Sequence, residues 1–132
     1  MANKKIKKYS DIDSRLRINP DGNVVVLRGS DVIKQSIKTI LSTSPGERVM
    51  LPDFGAGIRD YLFEPMEPDT VEGMRNRIES SLENEEPRIT IRNVDIRADR
   101  KNQTYEISIR YRNNVSGERD EFVGRVRSMS EL

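Results

Sequence analysis

Apolar residues recur along this chain with two periods, helical in the first part and strand-like in the last. Ile33, Ile37, Ile40 and Leu41 form a stripe at helical spacing. Ser30 stands where an N-cap is wanted, Asp31 falls in the first turn, and Pro45-Gly46 ends the helix near Ser44. Val71, Met74, Ile78 and Leu82 line a second helix from Thr70 to Glu85, with Asp69 and Glu72 spaced as a capping box. Gly73 inside it costs about 1 kcal/mol relative to alanine, which marks a close crossing by another element. Between the two helices, Ile58 to Phe63 reads as a short helical turn that places Leu62 and Phe63 in the core, closed by Glu64-Pro65.

The period changes at Glu86-Pro87-Arg88. Proline cannot continue the helix and biases Glu86 away from the α region. Beyond it, Ile89 and Ile91 share one alternating phase, whereas Val94, Ile96 and Ala98 share the other. That slip predicts a bulge near Arg92-Asn93. Tyr105, Ile107, Ile109 and Tyr111 alternate in a second strand, and Phe122, Gly124 and Val126 share one face of a third, over Arg119 to Arg127. Asp99 to Gln103 and Asn113 to Gly117 make the two turns. The fold class is α+β: N-terminal helices packed on a C-terminal three-stranded antiparallel β-meander.

Residues 1–27 read as a basic tail followed by a short extended or hairpin segment, and residues 28–132 as a single domain. Lys4, Lys5, Lys7 and Lys8 make a solvated tail or a docking arm, and Asn19-Pro20-Asp21-Gly22-Asn23 is turn chemistry. The segment's contribution to the core is expected to be small. Val49 to Pro52 reads as extended, and Asp53-Phe54-Gly55-Ala56-Gly57 as a glycine-punctuated loop with one aromatic plug.

Composition changes the picture in one respect. Hydrophobic and charged residues each make up 34% of the 132, a lean core with much polar surface, which suits a protein that works among partners. The charge is segregated. Residues 1–52 hold ten Lys/Arg against five Asp/Glu, residues 53–87 three against ten, and residues 88–132 ten against seven. An acidic middle between basic ends steers oriented protein contacts, whereas non-specific nucleic-acid binding wants a more uniformly basic surface. No apolar run approaches the roughly 20 residues needed to span a bilayer, and no secretory signal is expected. Glu83, Glu85 and Glu86 crowd the C-terminal end of the second helix, where its dipole disfavours acids. Arg88 folding back, a basic group on another chain, or plain screening by water would each accommodate them.

Catalysis finds little support. The chain has no histidine and no cysteine, which excludes Ser-His and Cys-His nucleophiles, disulfides and the usual zinc sites. Gly55-Ala56-Gly57 is too short for a phosphate loop. A glycosidase-type carboxylate pair drawn from Asp53, Asp60, Glu64 and Glu86 stays open, but 22 acids on a short chain always supply pairs. No enzyme, cofactor or metal is expected.

The ordered series Thr43-Ser44-Pro45-Gly46-Glu47-Arg48, Pro52-Asp53-Phe54-Gly55, Leu62-Phe63-Glu64-Pro65 and Glu86-Pro87-Arg88 resembles the baseplate-wedge, or sheath-initiator, proteins of contractile phage tails. That family is shared with type VI secretion baseplates, and the resemblance runs over roughly residues 28–126. It implies a non-catalytic virion protein of the tail baseplate, assembled in the host cytoplasm and present in six copies. Its implied partners are larger baseplate wedge subunits and the tail sheath protein, with the tail tube as a further contact and neither membrane nor specific nucleic acid. Carried across, Glu86, Pro87 and Arg88 would join the chain to the wedge's core bundle. Gly46, Glu47, Arg48, Pro52, Asp53, Phe54 and Gly55 would shape a buried loop. Templating of the first sheath ring would proceed by β-augmentation, with the final strand carrying Arg119, Phe122, Arg125 and Arg127 as the candidate edge. Some members of the family have carried a lysozyme label, a minor alternative alongside a type VI baseplate subunit.

Overall fold

The computed structural model describes residues 24–27, 31–44 and 55–130. Within them, both apolar stripes are helices. Helix α1 (Val32–Ser42) buries Ile33, Ile37, Ile40 and Leu41, and helix α3 (Pro68–Glu85) buries Met74, Ile78 and Leu82. Between them lies α2 (Arg59–Leu62). The sheet comprises β1 (Val25–Val26), β2 (Ile89–Asp99), β3 (Thr104–Asn113) and β4 (Arg119–Arg127). Every pairing is antiparallel, in the spatial order β1-β4-β3-β2.

The three long strands and their turns fall where the alternation places them. The phase slip in β2 is a bulge between Ile91 and Asn93. The extra residue lets Ile89 and Val94 both bury on the helix side although they lie an odd number of residues apart. Opposite them, Tyr105, Ile107, Ile109, Tyr111, Phe122 and Val126 complete the core. Helix α3 packs on β2, and α1 on β4 and β1. Among the described residues the other face of the sheet carries no helix and is mostly polar.

The expected three-stranded meander has a fourth strand. Val25 pairs with Arg125 and Val26 with Gly124, and the Leu27 N–H donates to the Val123 carbonyl at 2.8 Å. Val24 just before them is fully buried. Residues 24–27, the described part of that segment, therefore join the sheet and put Val24 in the core. Two residues are too few for periodicity to declare a strand; the exposed edge of β4 supplies the pairing. In consequence β4, the candidate edge, has neighbours on both sides at Gly124 and Arg125, while among the described residues Arg119 to Phe122 pair with β3 alone.

Local corrections have local causes. Asp31, not Ser30, is the N-cap of α1, its carboxylate accepting from the Lys34 N–H at 2.8 Å. The helix ends at Ser42, two residues before the expected stop. No capping box opens α3. Pro68 occupies the first turn with Glu67 as N-cap, Asp69 lies inside the helix, and Glu72 pairs with Arg75. Phe63 is 56% exposed because α2 ends at Leu62, which takes the inward position, and the Arg59 guanidinium lies over the Phe63 ring. Gly73 does mark a close approach: a Cβ there would sit 2.7 Å from Tyr61 Cε1.

Truncation of Val24 to alanine is expected to lower the unfolding free energy by about 1–3 kcal/mol, the loss of a buried side chain plus a residual cavity. Leu27→Ala, at a half-exposed position, should cost much less. Urea denaturation of both variants measures the difference.

Candidate assembly interface at the helix–strand junction

The junction is built around a buried carboxylate. Glu86 follows the last residue of α3 with non-helical backbone angles, φ −128° and ψ 82°, and is only 3% exposed. Pro87, itself exposed, turns the chain so that Arg88 comes back alongside. Arg88 Nε donates to Glu86 Oε1 and Arg88 Nη2 to Oε2 at 3.1 Å, a two-pronged contact between residues two apart. From α1, the Ser36 hydroxyl donates to the same Oε2 at 2.9 Å. A carboxylate out of water costs several kcal/mol unless it is paired and hydrogen-bonded, and Glu86 has both compensations. Hydrogen bonding to Glu86 raises the Arg88 pKa above its ordinary value, with Asp31 adding to it, so the guanidinium stays charged.

The crowded acids thus have separate solutions. Glu86 takes Arg88 folding back, the first of the three possibilities. Glu85 Oε1 accepts from the Gly55 N–H at 2.7 Å. Glu83 is exposed to water. The Glu85 contact pins a loop end that also caps α1: Ala56 N–H donates to the Ile40 carbonyl at 2.9 Å and Gly57 N–H to the Thr43 carbonyl at 3.2 Å. Gly55 has φ +109°, and a Cβ on it would stand 2.2 Å from the Thr43 carbonyl oxygen, so only glycine fits. Arg77 reaches the Ala56 carbonyl at 3.3 Å while lying over the Tyr61 ring.

The β3–β4 turn closes the other side. Asn114 N–H donates to the Arg88 carbonyl at 2.7 Å and its side-chain amide to the Pro87 carbonyl at 3.3 Å, while the Thr90 hydroxyl donates to Asn114 Oδ1. Glu86, Pro87 and Arg88 therefore join α1, α3, β2 and the last turn. Sequence reasoning missed Ser36, Asn114 and the role of Glu85. Ser36 lies 50 residues from Glu86, and nothing local marks its partner.

Of the other candidate residues, Gly46, Glu47, Arg48, Pro52, Asp53 and Phe54 lie outside the described residues, and Gly55 is buried with φ +109°. In β4, Phe122 is fully buried in the core and is not available to a partner. Arg119, Arg125 and Arg127 are exposed; Arg125 lies 3.8 Å from Glu106. Of the nominated carboxylates that are described, Asp60 and Glu64 are exposed, and both oxygens of Glu86 are engaged. Among the described residues no group of acids is placed to hold a metal ion.

The family model for baseplate wedge protein gp25 matches residues 27–118. Baseplate wedge protein gp25 of Enterobacteria phage T4 is 40% identical over 83 residues, 63% of this chain, and the chain spans the same 63% of that relative's length. A Geobacter sulfurreducens crystal structure, provisionally named a tail lysozyme, is similar with a TM-score of 0.69 and 31% identity, covering 80% of this chain and 99% of that one. A baseplate chain of the anti-feeding prophage is similar with a TM-score of 0.59 and 30% identity, covering 74% of this chain and 79% of that one.

Two substitutions test the junction. Arg88→Ala is expected to lower stability by about 2–4 kcal/mol, less than the full penalty for breaking a dry pair because the guanidinium is 39% exposed. Arg88→Lys, which keeps the charge but loses the two-pronged geometry, should fall between Arg88→Ala and wild type in the same denaturation experiment. Gly55→Ala should cost at least as much as Arg88→Lys, since it meets both the left-handed backbone and the Thr43 carbonyl.

Proposed function

The chain belongs to the family of baseplate wedge protein gp25, and from that premise we propose that it joins the baseplate wedge to the first ring of the tail sheath and templates sheath growth. It is a structural baseplate protein of a phage tail or of a related phage-derived machine, and the mature virion is its place of work.

The sheet order carries the templating part. Among the described residues, β2 has a hydrogen-bonding neighbour on one side only, along all 11 of its residues. Strand addition by a sheath subunit therefore goes to β2 rather than β4, whose outer side already takes β1. Wedge attachment uses Pro87 and the solvent-facing part of Arg88, with Glu86 holding the guanidinium in place from inside. The loop of Gly46, Glu47, Arg48, Pro52 and Phe54, anchored at Gly55, serves shape before contact. Its partners are the larger wedge subunits and the sheath protein, with the tail tube close by.

The reading is non-catalytic. A muramidase needs one carboxyl held protonated in an apolar pocket opposite a second. The buried carboxylate at the junction is instead a fully engaged ion-pair partner, and the lysozyme name is the bacterial neighbour's.

A chain free of cysteine permits clean cross-linking. Asp95→Cys on β2, labelled with a short maleimide–diazirine reagent and assembled with the cognate wedge and sheath proteins, is expected to photo-cross-link to sheath, whereas Arg127→Cys on β4 is not. Electron microscopy of the same preparation should show sheath growing only when the chain is present. Sheath growth without it, or peptidoglycan turnover by the isolated protein, overturns the assignment.

A further inference from the structure

The polar outer face of the sheet is electrically lopsided. Cross-strand registers place Thr90, Arg112 and Arg119 in one row, and Asn93, Arg110 and Glu121 in the next, with Arg92 in the bulge beside them. That end holds four arginines and one acid. The opposite end holds Arg97, Arg125 and Arg127 against Asp95, Asp99 and Glu106, and is balanced. Arg112 and Arg119 stand directly opposite each other across β3 and β4, a like-charge pairing that destabilises a sheet. All of Arg92, Arg110, Arg112 and Arg119 are exposed. Among the described residues Arg110 alone of the four has an ion pair, to Glu121 at 3.5 Å. An open groove of about 640 Å³ beside it is lined by Arg92, Arg110 and Arg119 together with Lys34, Asp120 and Glu121, and there Asp120 pairs with Lys34 at 3.3 Å and Glu121 with Arg110.

We propose that this end of the outer sheet face docks an acidic protein segment, whose carboxylates bridge Arg92, Arg112 and Arg119. Three guanidinium forks that have no ion pair among the described residues match carboxylates in bidentate geometry. Nucleic acid suits the face less well. A phosphate backbone continuing along the sheet would meet Asp95, Asp99 and Glu106, whereas a short acidic segment ends before them. The unfavourable Arg112–Arg119 juxtaposition is relieved on binding, so the free protein gives up stability for a charge-selective contact. The site uses side chains of the outer face, and it stands whether or not a strand is added at β2.

The test titrates the isolated protein with a fluorescent glutamate-rich peptide of about twelve residues, read by anisotropy at about 50 mM and about 300 mM salt. Arg112→Ser with Arg119→Ser should weaken binding by about tenfold or more, and the higher salt should do likewise. Arg97→Ser with Arg127→Ser, at the balanced end, should leave it within about twofold. Arg119→Glu should abolish binding yet raise the Tm of the free protein, by turning a repulsive pair into an attractive one. No binding by wild type, or equal losses in the two double variants, overturns the proposal. So does tighter binding of an oligothymidylate of equal length, which would make the site one for nucleic acid. Self-association abolished by the Arg112 and Arg119 changes would assign the face to a second copy and equally overturn it.

Discussion

A carboxylate that leaves water must be matched, and the folding of this chain turns on how Glu86 is matched. Arg88 supplies charge and two hydrogen bonds from two residues away, and Ser36 supplies a third from another helix. The pairing is short-range in sequence, so it forms with little loop-closure cost and holds the direction in which β2 leaves α3. Ser36 then makes it long-range, since α1 must lie against the junction for the carboxylate to be complete. Asn114 adds the final turn through the Pro87 and Arg88 carbonyls. Helix, helix, strand and turn meet at one ion pair because leaving it incomplete is costlier than any of the individual bonds.

Around that point the architecture has two unlike sides. The helix side is closed: Phe122, Tyr105 and Tyr111 are buried with the aliphatic stripes of α1 and α3. Tyr105 and Tyr111 even bury hydroxyls that have no hydrogen-bond partner among the described residues, and burial pushes both phenol pKa values up. The other side is a bare polar sheet face ending at β2. A small domain with a firm interior, an open strand and a charged face is suited to being built into something larger. That is what its family, the baseplate wedge proteins, does with it.

Charge serves different ends on the two sides. On the helix side, acids are placed to finish hydrogen bonds: Asp31 caps α1, Glu85 holds Gly55 and Glu86 holds the junction. On the sheet face, arginines outnumber acids at one end, and among the described residues Arg110 alone of the four there meets an acid, Glu121. The acidic middle is itself largely surface, with Asp60, Glu64, Glu67, Asp69, Glu72 and Glu83 exposed, while Glu85 and Glu86 are the acids of that stretch that hold the junction together.

Most of what depends on spacing along the chain was legible in the sequence, the Asp69–Glu72 capping box excepted. Ile33 to Leu41, Val71 to Leu82 and the alternating strands declare themselves because burial of one face imposes a period, and Arg92-Asn93 declares a bulge because the period slips. Pro87 marks the boundary because it lacks an N–H. Gly73 marks a close approach because it is costly in a helix. The ordered motifs carried the family as well. Tertiary structure alone decided what depends on distance in space. A two-residue β1 has no period, Phe63 looks as apolar as Leu62 until the end of α2 turns it outward, and Ser36 is an ordinary helical serine until Glu86 arrives. Which of two strands is the edge likewise waits on what pairs beside it. Periodicity reports that a face is buried; only the assembled fold says against what.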